Sequence, residues 1–329
     1  MRIAYITAGA AGMYCGSCLH DNTLAAALLA LGEDIVLVPT YTSLRTDEPN
    51  VSIPRVFCGG INVYLQENMP LFRHTPWWMD RLFDHPALLE RLSRRAGSVD
   101  PMQLGDLTVS MLRGEAGHQR KEFEKLVQWL VKEIKPDIVH LSNSMQIGMV
   151  RMLRERGGPP VVCQLSGEDL FLEKLPPPHY DHARKLLRER AEEVDAFVAM
   201  SRYYADFMAE YLAVERARVH VVPHGLNLVG HGQRRQKRPD EPRVVGFLAR
   251  ICEDKGLHLL VEACERLAQL LDVPHFELHA AGYLGDRDRP YLEQLQSRAA
   301  AGPLAGRFTY LGEIDRARKI AFLQSLDVF

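Results

Sequence analysis

The chain has 329 residues, of which 47% are hydrophobic and 25% charged, and its formal net charge is −2. This length predicts two domains that each bury a core, and the composition is that of a soluble globular enzyme. The near-neutral charge gives no reason to expect nucleic acid as a partner. The amino terminus enters a strand directly, unlike a signal peptide, and no apolar run reaches the roughly 18 residues of a membrane span. We therefore expect a cytoplasmic protein, with peripheral membrane contact left open.

Strands and helices alternate along the first 226 residues. An apolar strand at 3–6 leads into a glycine-rich loop at 8–16 and a helix that ends at Gly32. Further strands are predicted at 35–38, 137–141, 161–165, 196–199 and 219–222, and helices at 123–134 and 183–194. Strands separated by helices predict a doubly wound parallel sheet, and we assign residues 1–226 to this first domain.

The range from about 66 to 117 interrupts this alternation. It holds several prolines, short helical runs and aromatic residues that include Phe72, Trp77, Trp78 and Phe83. We interpret it as an insertion in the first domain. Its aromatic side chains either line an acceptor pocket or form a local core.

Residues 227–242 have the composition of a linker between domains. The segment contains Gly230, Gly232, two prolines and four closely spaced basic residues, and such a charge run is typical of a solvated linker. The alternation then resumes over 243–329, with strands predicted at 244–248, 276–281 and 308–311 and helices at 257–271, 291–300 and from 314.

The six cysteines are scattered, and only Cys15 and Cys18 have a spacing with chemical meaning. A CxxC pair between a strand and a helix is the local context of a thioredoxin-like redox motif. A thioredoxin domain has only about 100 residues, however, and no second CxxC or histidine pair completes a zinc site. We favour cysteines that pack or shape the loop, and we predict no metal.

The segment 244–256 carries the most functional information. An apolar strand is followed by a short loop with Arg250 and Lys255, and then by a helix. The apolar face of this helix recurs at helical period, at Leu257, Leu260, Val261, Cys264, Leu267, Ala268 and Leu271. The two cations therefore lie beyond the carboxyl end of a strand and beside a helix amino terminus, a position that favours phosphate. The alternative is a solvated Arg and Lys on an ordinary turn.

This segment resembles the donor-diphosphate site of the retaining glycosyltransferases of family 4, also called group 1. Other blocks of the family pattern follow in order along nearly the whole chain, at 12–16, 137–140, 201, 222–227, 278–282, 308–312 and 326–329. The resemblance implies an α/β protein with two Rossmann-like doubly wound domains facing a cleft, the GT-B type.

The resemblance also implies the site and its ligands. Arg250, Lys255 and His140 take catalytic positions, and the donor-binding positions are Gly12, Gly16, Gly246, Gly282 and Ser201. The donor would be a nucleotide-diphosphate sugar, transferred with retention of configuration and without a metal or cofactor. The acceptor, a glycan, a lipid or a small molecule, stays unidentified. A lone histidine such as His140 or His224 is more often packed than catalytic.

Two departures from the family pattern matter. Where the family has a histidine after the strand at 161–165, this chain has Ser166, Gly167, Glu168 and Asp169. The two carboxylates either bind sugar or acceptor hydroxyls, or they favour the dipole of a helix capped by Ser166. The family also has two glutamates after the strand that begins at Asp327, beyond the last residue, Phe329. We therefore expect an incomplete second domain and a sequence that is a fragment.

Two other functions fit the same pattern of elements. A dehydrogenase shares the doubly wound sheet, but Gly9, Gly12 and Gly16 do not have its G-x-G-x-x-G spacing. Its ribose-binding acid should also end the second strand, whereas Glu33 and Asp34 precede that strand. A non-catalytic nucleotide-sugar or glycan-binding protein remains the alternative, since the two glutamates are missing.

Overall fold

Residues 1–9, 16–76, 101–232 and 241–329 are described in the computed structural model of the chain. They form two units, Met1–Leu226 and Asn227–Phe329, each with its own parallel sheet. Within these ranges no helix has the length and apolar character to cross a membrane.

The first unit contains a six-stranded sheet in the order β2-β1-β3-β4-β5-β6, with every neighbouring pair parallel. The strands are β1 (Arg2–Ala8), β2 (Asp34–Thr40), β3 (Ile138–Leu141), β4 (Val161–Leu165), β5 (Ala196–Ala199) and β6 (Val219–Val221). All six were predicted, and β1 and β2 are longer than their apolar runs. Because β2 lies on one side of β1 and all later strands on the other, the chain order reverses between β1 and β3. Open parallel sheets bind ligands beyond the carboxyl ends of the strands at such a point.

Helices cover both faces of this sheet. Those described are α1 (Gly16–Ala30), α2 (Gly60–Asn68), α3 (Pro101–Arg113), α4 (Arg120–Trp129), α5 (Val150–Glu155), α6 (Glu168–Leu172), α7 (His179–Ala191) and α8 (Arg202–Leu212). Side chains of β1 alternate between two apolar clusters: Ile3 and Tyr5 enter the one that includes α1, and Ala4 and Ile6 the other. This period of two, with a core on each side, confirms the doubly wound sheet.

The predicted insertion is described only in part. Trp77, Trp78 and Phe83 lie outside the described residues. Three side chains of α3, Val109, Met111 and Leu112, belong to the same core cluster as Ile6 of β1. This end of the range therefore packs into the main core of the first unit.

The second unit contains three parallel strands in the order β7-β8-β9. They are β7 (Arg243–Leu248), β8 (Phe276–Ala281) and β9 (Phe308–Tyr310), with helices α9 (Leu257–Leu267), α10 (Arg289–Ala301) and α11 (Arg316–Ser325). Val328 forms a parallel bridge to Val245 at the free edge of β7. The predicted apolar face of α9 is right except for Leu271, which is 91% exposed because the helix ends four residues earlier.

The described end of the predicted linker is bonded to α11. Arg316 donates to the carbonyl oxygens of Asn227 and Val229, at 3.3 and 3.1 Å, and Gln324 donates to that of Gly230 at 3.1 Å. Residues 227–230 thus belong to the second unit. The basic cluster at 234–238 lies outside the described residues.

Candidate functional site

Arg250 lies beyond the carboxyl end of β7, as the sequence pattern predicts. The loop stays paired with the chain that follows β8: Ala249 donates to the carbonyl of Ala281 at 3.2 Å, and Ile251 donates to that of Tyr283 at 2.8 Å. Ile251 is fully buried, whereas Arg250 is exposed. The backbone on both sides of Arg250 is therefore anchored while its side chain stays accessible.

Lys255 ends a short 3-10 turn, Glu253–Lys255, directly before α9. Its backbone N–H donates to the carbonyl of Cys252 at 3.1 Å, and its side chain is exposed. Gly256 follows with φ 77°, a left-handed conformation that suits glycine, and it is the N-cap residue of α9. Lys255 thus lies at the positive end of an 11-residue helix, where the helix dipole and its own charge both favour an anion.

The guanidinium of Arg250 is held by its neighbours. Its Nε donates to Sγ of Cys252 at 3.4 Å. This bond is the main reason that the pKa of Arg250 is raised, and the nearby carboxylates of Asp288 and Asp254 add to it. Arg250 therefore remains a cation throughout the physiological pH range.

Two predicted donor-binding glycines in this unit are explained by internal packing. Gly282 has φ 143°, and a Cβ there would lie 1.8 Å from the carbonyl oxygen of Ala249. The glycine therefore allows the loops after β7 and β8 to lie side by side, which brings Gly282 next to the Arg250 loop. Gly246 is different: it is buried within β7, and a Cβ there would lie 2.2 Å from the side chain of Leu326.

The amino terminus of α9 has a cap that the sequence did not reveal. The hydroxyl of Tyr291, on α10, lies 3.0 Å from the backbone nitrogen of His258, which donates to it, and 3.0 Å from His258 Nδ1. The two rings meet edge-on, at 78° and with centroids 6.0 Å apart. The two residues are 33 positions apart, and no local pattern links them.

In the first unit, Gly12 lies outside the described residues and Gly16 is the first residue of α1. Gly16 is exposed, and a Cβ there would meet open space. Cys18 is buried, and its Sγ donates to the carbonyl of Ala8 at 3.1 Å. Cys15, the other cysteine of the CxxC spacing, lies outside the described residues. Within the described ranges, no group of three or more His, Cys, Asp or Glu side chains could hold a metal ion.

His140 lies on β3 directly opposite Tyr5 of β1, and the two rings stack with centroids 4.4 Å apart. The pKa of His140 is lowered to about 4, mainly by burial; the charge of Asp21 opposes this shift, and the nearby His20 adds to it. The Nε2 atom is buried and has no hydrogen-bond partner among the described residues. His140 is therefore a neutral imidazole at pH 7.

A buried carboxylate, Asp21 of α1, organises the surroundings of His140. Tyr5 donates to its Oδ1 at 2.5 Å and Thr7 to its Oδ2, while Nδ1 of His20 lies 3.1 Å from Oδ1. The ring of His20 in turn lies 4.0 Å from that of His224, whose pKa is lowered by burial and by His20. This network joins α1, β1 and the segment after β6 at the switch point of the sheet.

The carboxylate of Glu168 accepts hydrogen bonds from two backbone N–H groups. Its Oε1 accepts from the N–H of Ser144 at 2.9 Å, and its Oε2 from that of Ser166 at 2.8 Å. Glu168 is buried, which raises its pKa against the lowering effect of these bonds. It thus ties together the loops after β3 and β4. The N-cap residue of α6 is Gly167, so the expected cap by Ser166 is wrong.

Asp169 and Ser201, the other two predicted polar residues of this edge, both form hydrogen bonds with Tyr204. Its hydroxyl donates to Asp169 at 2.7 Å and accepts from the N–H of Gly167 at 2.7 Å. Its backbone N–H donates to Oγ of Ser201 at 3.2 Å, which makes Ser201 the N-cap of α8. Glu168, Asp169 and Ser201 therefore form one network, and Arg250, Lys255 and Gly282 share one edge of the second unit.

Sequence profiles of two domains match this chain. The profile of Glycosyltransferase Family 4 matches residues 107–229, and that of Glycosyl transferases group 1 matches residues 232–329. The second match contains Arg250, Lys255 and Gly282, and the first contains His140 and Ser201. The chain belongs to the glycosyltransferases of family 4, or group 1. The resemblance to this family is confirmed, and so is the GT-B fold class, while retention of configuration stays a prediction.

Solved structures share the fold of this glycosyltransferase at low sequence identity. Sucrose-phosphate synthase from Thermosynechococcus elongatus is 15% identical with a TM-score of 0.60, over 99% of this chain and 74% of that one. The catalytic domain of starch synthase IV from Arabidopsis thaliana, bound to ADP and acarbose, is 11% identical with a TM-score of 0.57, over 100% and 77%. Anabaena Alr3699/HepE in complex with UDP-glucose is 14% identical with a TM-score of 0.51, over 95% and 69%. No protein of curated function matches the sequence.

Proposed function

We propose that this glycosyltransferase transfers a sugar from a nucleotide-diphosphate sugar with retention of configuration, and that Arg250 and Lys255 stabilise the leaving diphosphate. One observation carries the proposal: two exposed cations lie beyond the carboxyl end of a parallel strand and beside the amino terminus of α9. Parallel α/β sheets bind ligands at that edge, and helix amino termini favour phosphate groups.

The chemistry needs positive charge at this place. The bond between the anomeric carbon and the diphosphate oxygen breaks, a bond from that carbon to an acceptor oxygen forms, and the proton of the acceptor hydroxyl passes to the departing diphosphate. Negative charge builds on the departing diphosphate. Fixed cations that meet this charge lower the barrier, since they need no reorganisation during the reaction. Arg250 suits the role because its backbone is anchored on both sides and its Nε is held by Cys252.

The donor class is supported by ligands in structures of similar fold. Anabaena Alr3699/HepE is described with UDP-glucose and Arabidopsis starch synthase IV with ADP, so a nucleoside diphosphate is the common element. We extend that class to this chain. The acceptor, whether glycan, lipid or small molecule, and a cytoplasmic location stay predictions.

The remaining predicted residues take more limited roles in this proposal. Gly282 brings the chain after β8 close to the Arg250 loop. His140, neutral at pH 7, offers a hydrogen bond rather than a charge. Asp169 and Glu168 already bond to Tyr204 and to backbone N–H groups, so they shape the acceptor side rather than bind the sugar directly.

Donor cleavage by the 329-residue chain tests the proposal. Panels of UDP- and ADP-sugars are incubated with acceptor mixtures, released diphosphate is measured, and the anomeric configuration of the product is read by NMR. Arg250→Ala and Lys255→Ala should each slow release about 10- to 100-fold, the effect of losing one charged hydrogen bond. The control is Arg266→Ala, at the other end of α9, where Arg266 pairs with Glu262. Wild-type rates in both variants contradict the proposal, an inverted product contradicts retention, and diphosphate binding without cleavage indicates a non-catalytic binding protein.

A further inference from the structure

We propose that His258 is a further donor-binding residue, which donates a hydrogen bond from Nε2 to the diphosphate while Tyr291 holds its ring in place. The inference rests on the proposed function, since it deepens the account of the same site. His258 is the second residue of α9 and lies three positions after Lys255. It is partly exposed, so a ligand at the amino terminus of the helix can reach it.

Tyr291 fixes the orientation of the imidazole. The Tyr291 hydroxyl lies 3.0 Å from both the backbone nitrogen and the Nδ1 of His258. A hydroxyl carries one donor and two acceptor sites. It can therefore accept a hydrogen bond from the backbone N–H and form a second hydrogen bond with Nδ1. Two bonds to one hydroxyl, together with the edge-on contact of the rings, leave the side chain little freedom.

The remaining ring nitrogen is the one available to a ligand. Within the described part of the chain, only Tyr291 bonds to the side chain of His258. When the hydroxyl donates to Nδ1, the proton of the neutral imidazole must be on Nε2, and in the protonated imidazole both nitrogens carry a proton. The proposed contact requires one of these two forms, and not the neutral tautomer with its proton on Nδ1; in both of them Nε2 is a donor at the end of α9 where the helix dipole attracts anions.

A purely structural role is the competing explanation, because Tyr291 also caps a helix whose N-cap residue is a glycine without a side-chain bond. The two roles differ in their ligand dependence. A structural defect weakens binding of every ligand at this edge, whereas a lost contact to the diphosphate weakens only ligands that carry one. Nucleosides therefore serve as the internal reference for nucleoside diphosphates.

The experiment titrates the full chain with UDP and ADP, and with uridine and adenosine, by calorimetry. His258→Ala should raise the Kd for the diphosphates about 5- to 20-fold and leave the nucleosides unchanged, and His258→Gln, which keeps an N–H donor, should recover part of the loss. Tyr291→Phe should have a smaller effect, and the double variant should bind no more weakly than His258→Ala, because both changes act through one side chain. His275→Ala is the control, since His275 is exposed at the opposite, amino end of β8.

Arg250→Ala separates failure of this inference from failure of the proposed function. If Arg250→Ala weakens UDP binding but His258→Ala does not, His258 is not a donor contact. Equal losses for UDP and uridine in His258→Ala would mean that its role is structural, which also overturns the inference. If Arg250→Ala binds UDP as tightly as the wild type, the proposed function itself is wrong. The melting temperature of each variant, compared with the temperature of the titration, shows whether the variant is folded when its affinity is measured.

Discussion

Replacing His140 by phenylalanine should make the first unit less sensitive to acid. The substitution keeps an aromatic ring against Tyr5 and removes the titrating nitrogen. In the wild type the pKa of His140 is lowered to about 4 in the folded state, against about 6.5 in an unfolded chain. A histidine buried in its neutral form contributes stability that is fully present above pH 6.5. That contribution is lost as the pH falls toward 4, because protons then bind the unfolded state more readily.

The size of the effect follows from the two pKa values. At pH 4.5 nearly all unfolded chains carry a proton on this imidazole, whereas only about a quarter of folded chains do. The free energy of unfolding at pH 4.5 is therefore about 2.5 kcal/mol lower than at pH 7.5. The Phe variant lacks this loss. We therefore expect a smaller fall in its free energy of unfolding between the two pH values.

Urea unfolding followed by tryptophan fluorescence provides the assay. All three tryptophans, Trp77, Trp78 and Trp129, lie within residues 1–226, so the signal reports on the first unit and avoids treating a two-unit chain as one transition. His220→Phe, which replaces an exposed histidine on β6, is the control and should keep the wild-type pH dependence. If His140→Phe loses as much stability between pH 7.5 and 4.5 as the wild type, the neutral buried imidazole is refuted.

Two further substitutions test the packing of the candidate sites. Gly282→Ala should destabilise the second unit by about 2 kcal/mol or more, because its Cβ would collide with the Ala249 carbonyl at φ 143°. Gly306→Ala, with φ 72° and open space, should cost only about 1 kcal/mol by urea unfolding, and equal costs would contradict the packing argument. Glu168→Gln should destabilise the first unit by about 1–3 kcal/mol, because an amide NH2 would face a backbone N–H that now donates to a carboxylate oxygen. Unchanged stability of that variant at pH 7 would show that these bonds contribute little.

Much of the fold was predictable because it depends on short-range patterns. The apolar runs at 161–165, 196–199 and 276–281 are bounded by turn residues, and these strands begin and end where predicted. Leu271 shows where the pattern fails. No glycine or proline separates it from α9, yet the helix ends at Leu267 and Asp272 has a positive φ of 66°. Periodicity reports which face is apolar, whereas the end of a helix depends on how the chain returns to the sheet.

In the candidate site, too, residues of one continuous segment were predictable and contacts between separate elements were not. Arg250 and Lys255 could be located because a strand and a helix flank them in one continuous segment. The Asp21 network and the Tyr291 cap join residues on different elements, so no local spacing encodes them. The sequence left two roles open for the carboxylate of Glu168, a sugar contact or a helix-dipole contact, and did not reveal its partners, which are backbone N–H groups of two loops. Such partners become visible only once the strands are placed side by side.

The affinity for UDP and ADP of a variant that carries both Arg250→Ala and Lys255→Ala tests the central claim most directly. Calorimetric titration compares this variant with the wild type and with Arg266→Ala, with all three proteins shown to be folded by circular dichroism. The account predicts that the wild type and Arg266→Ala bind a nucleoside diphosphate alike and that the double variant binds at least 100-fold more weakly. Equal affinity in the double variant and the wild type would contradict it.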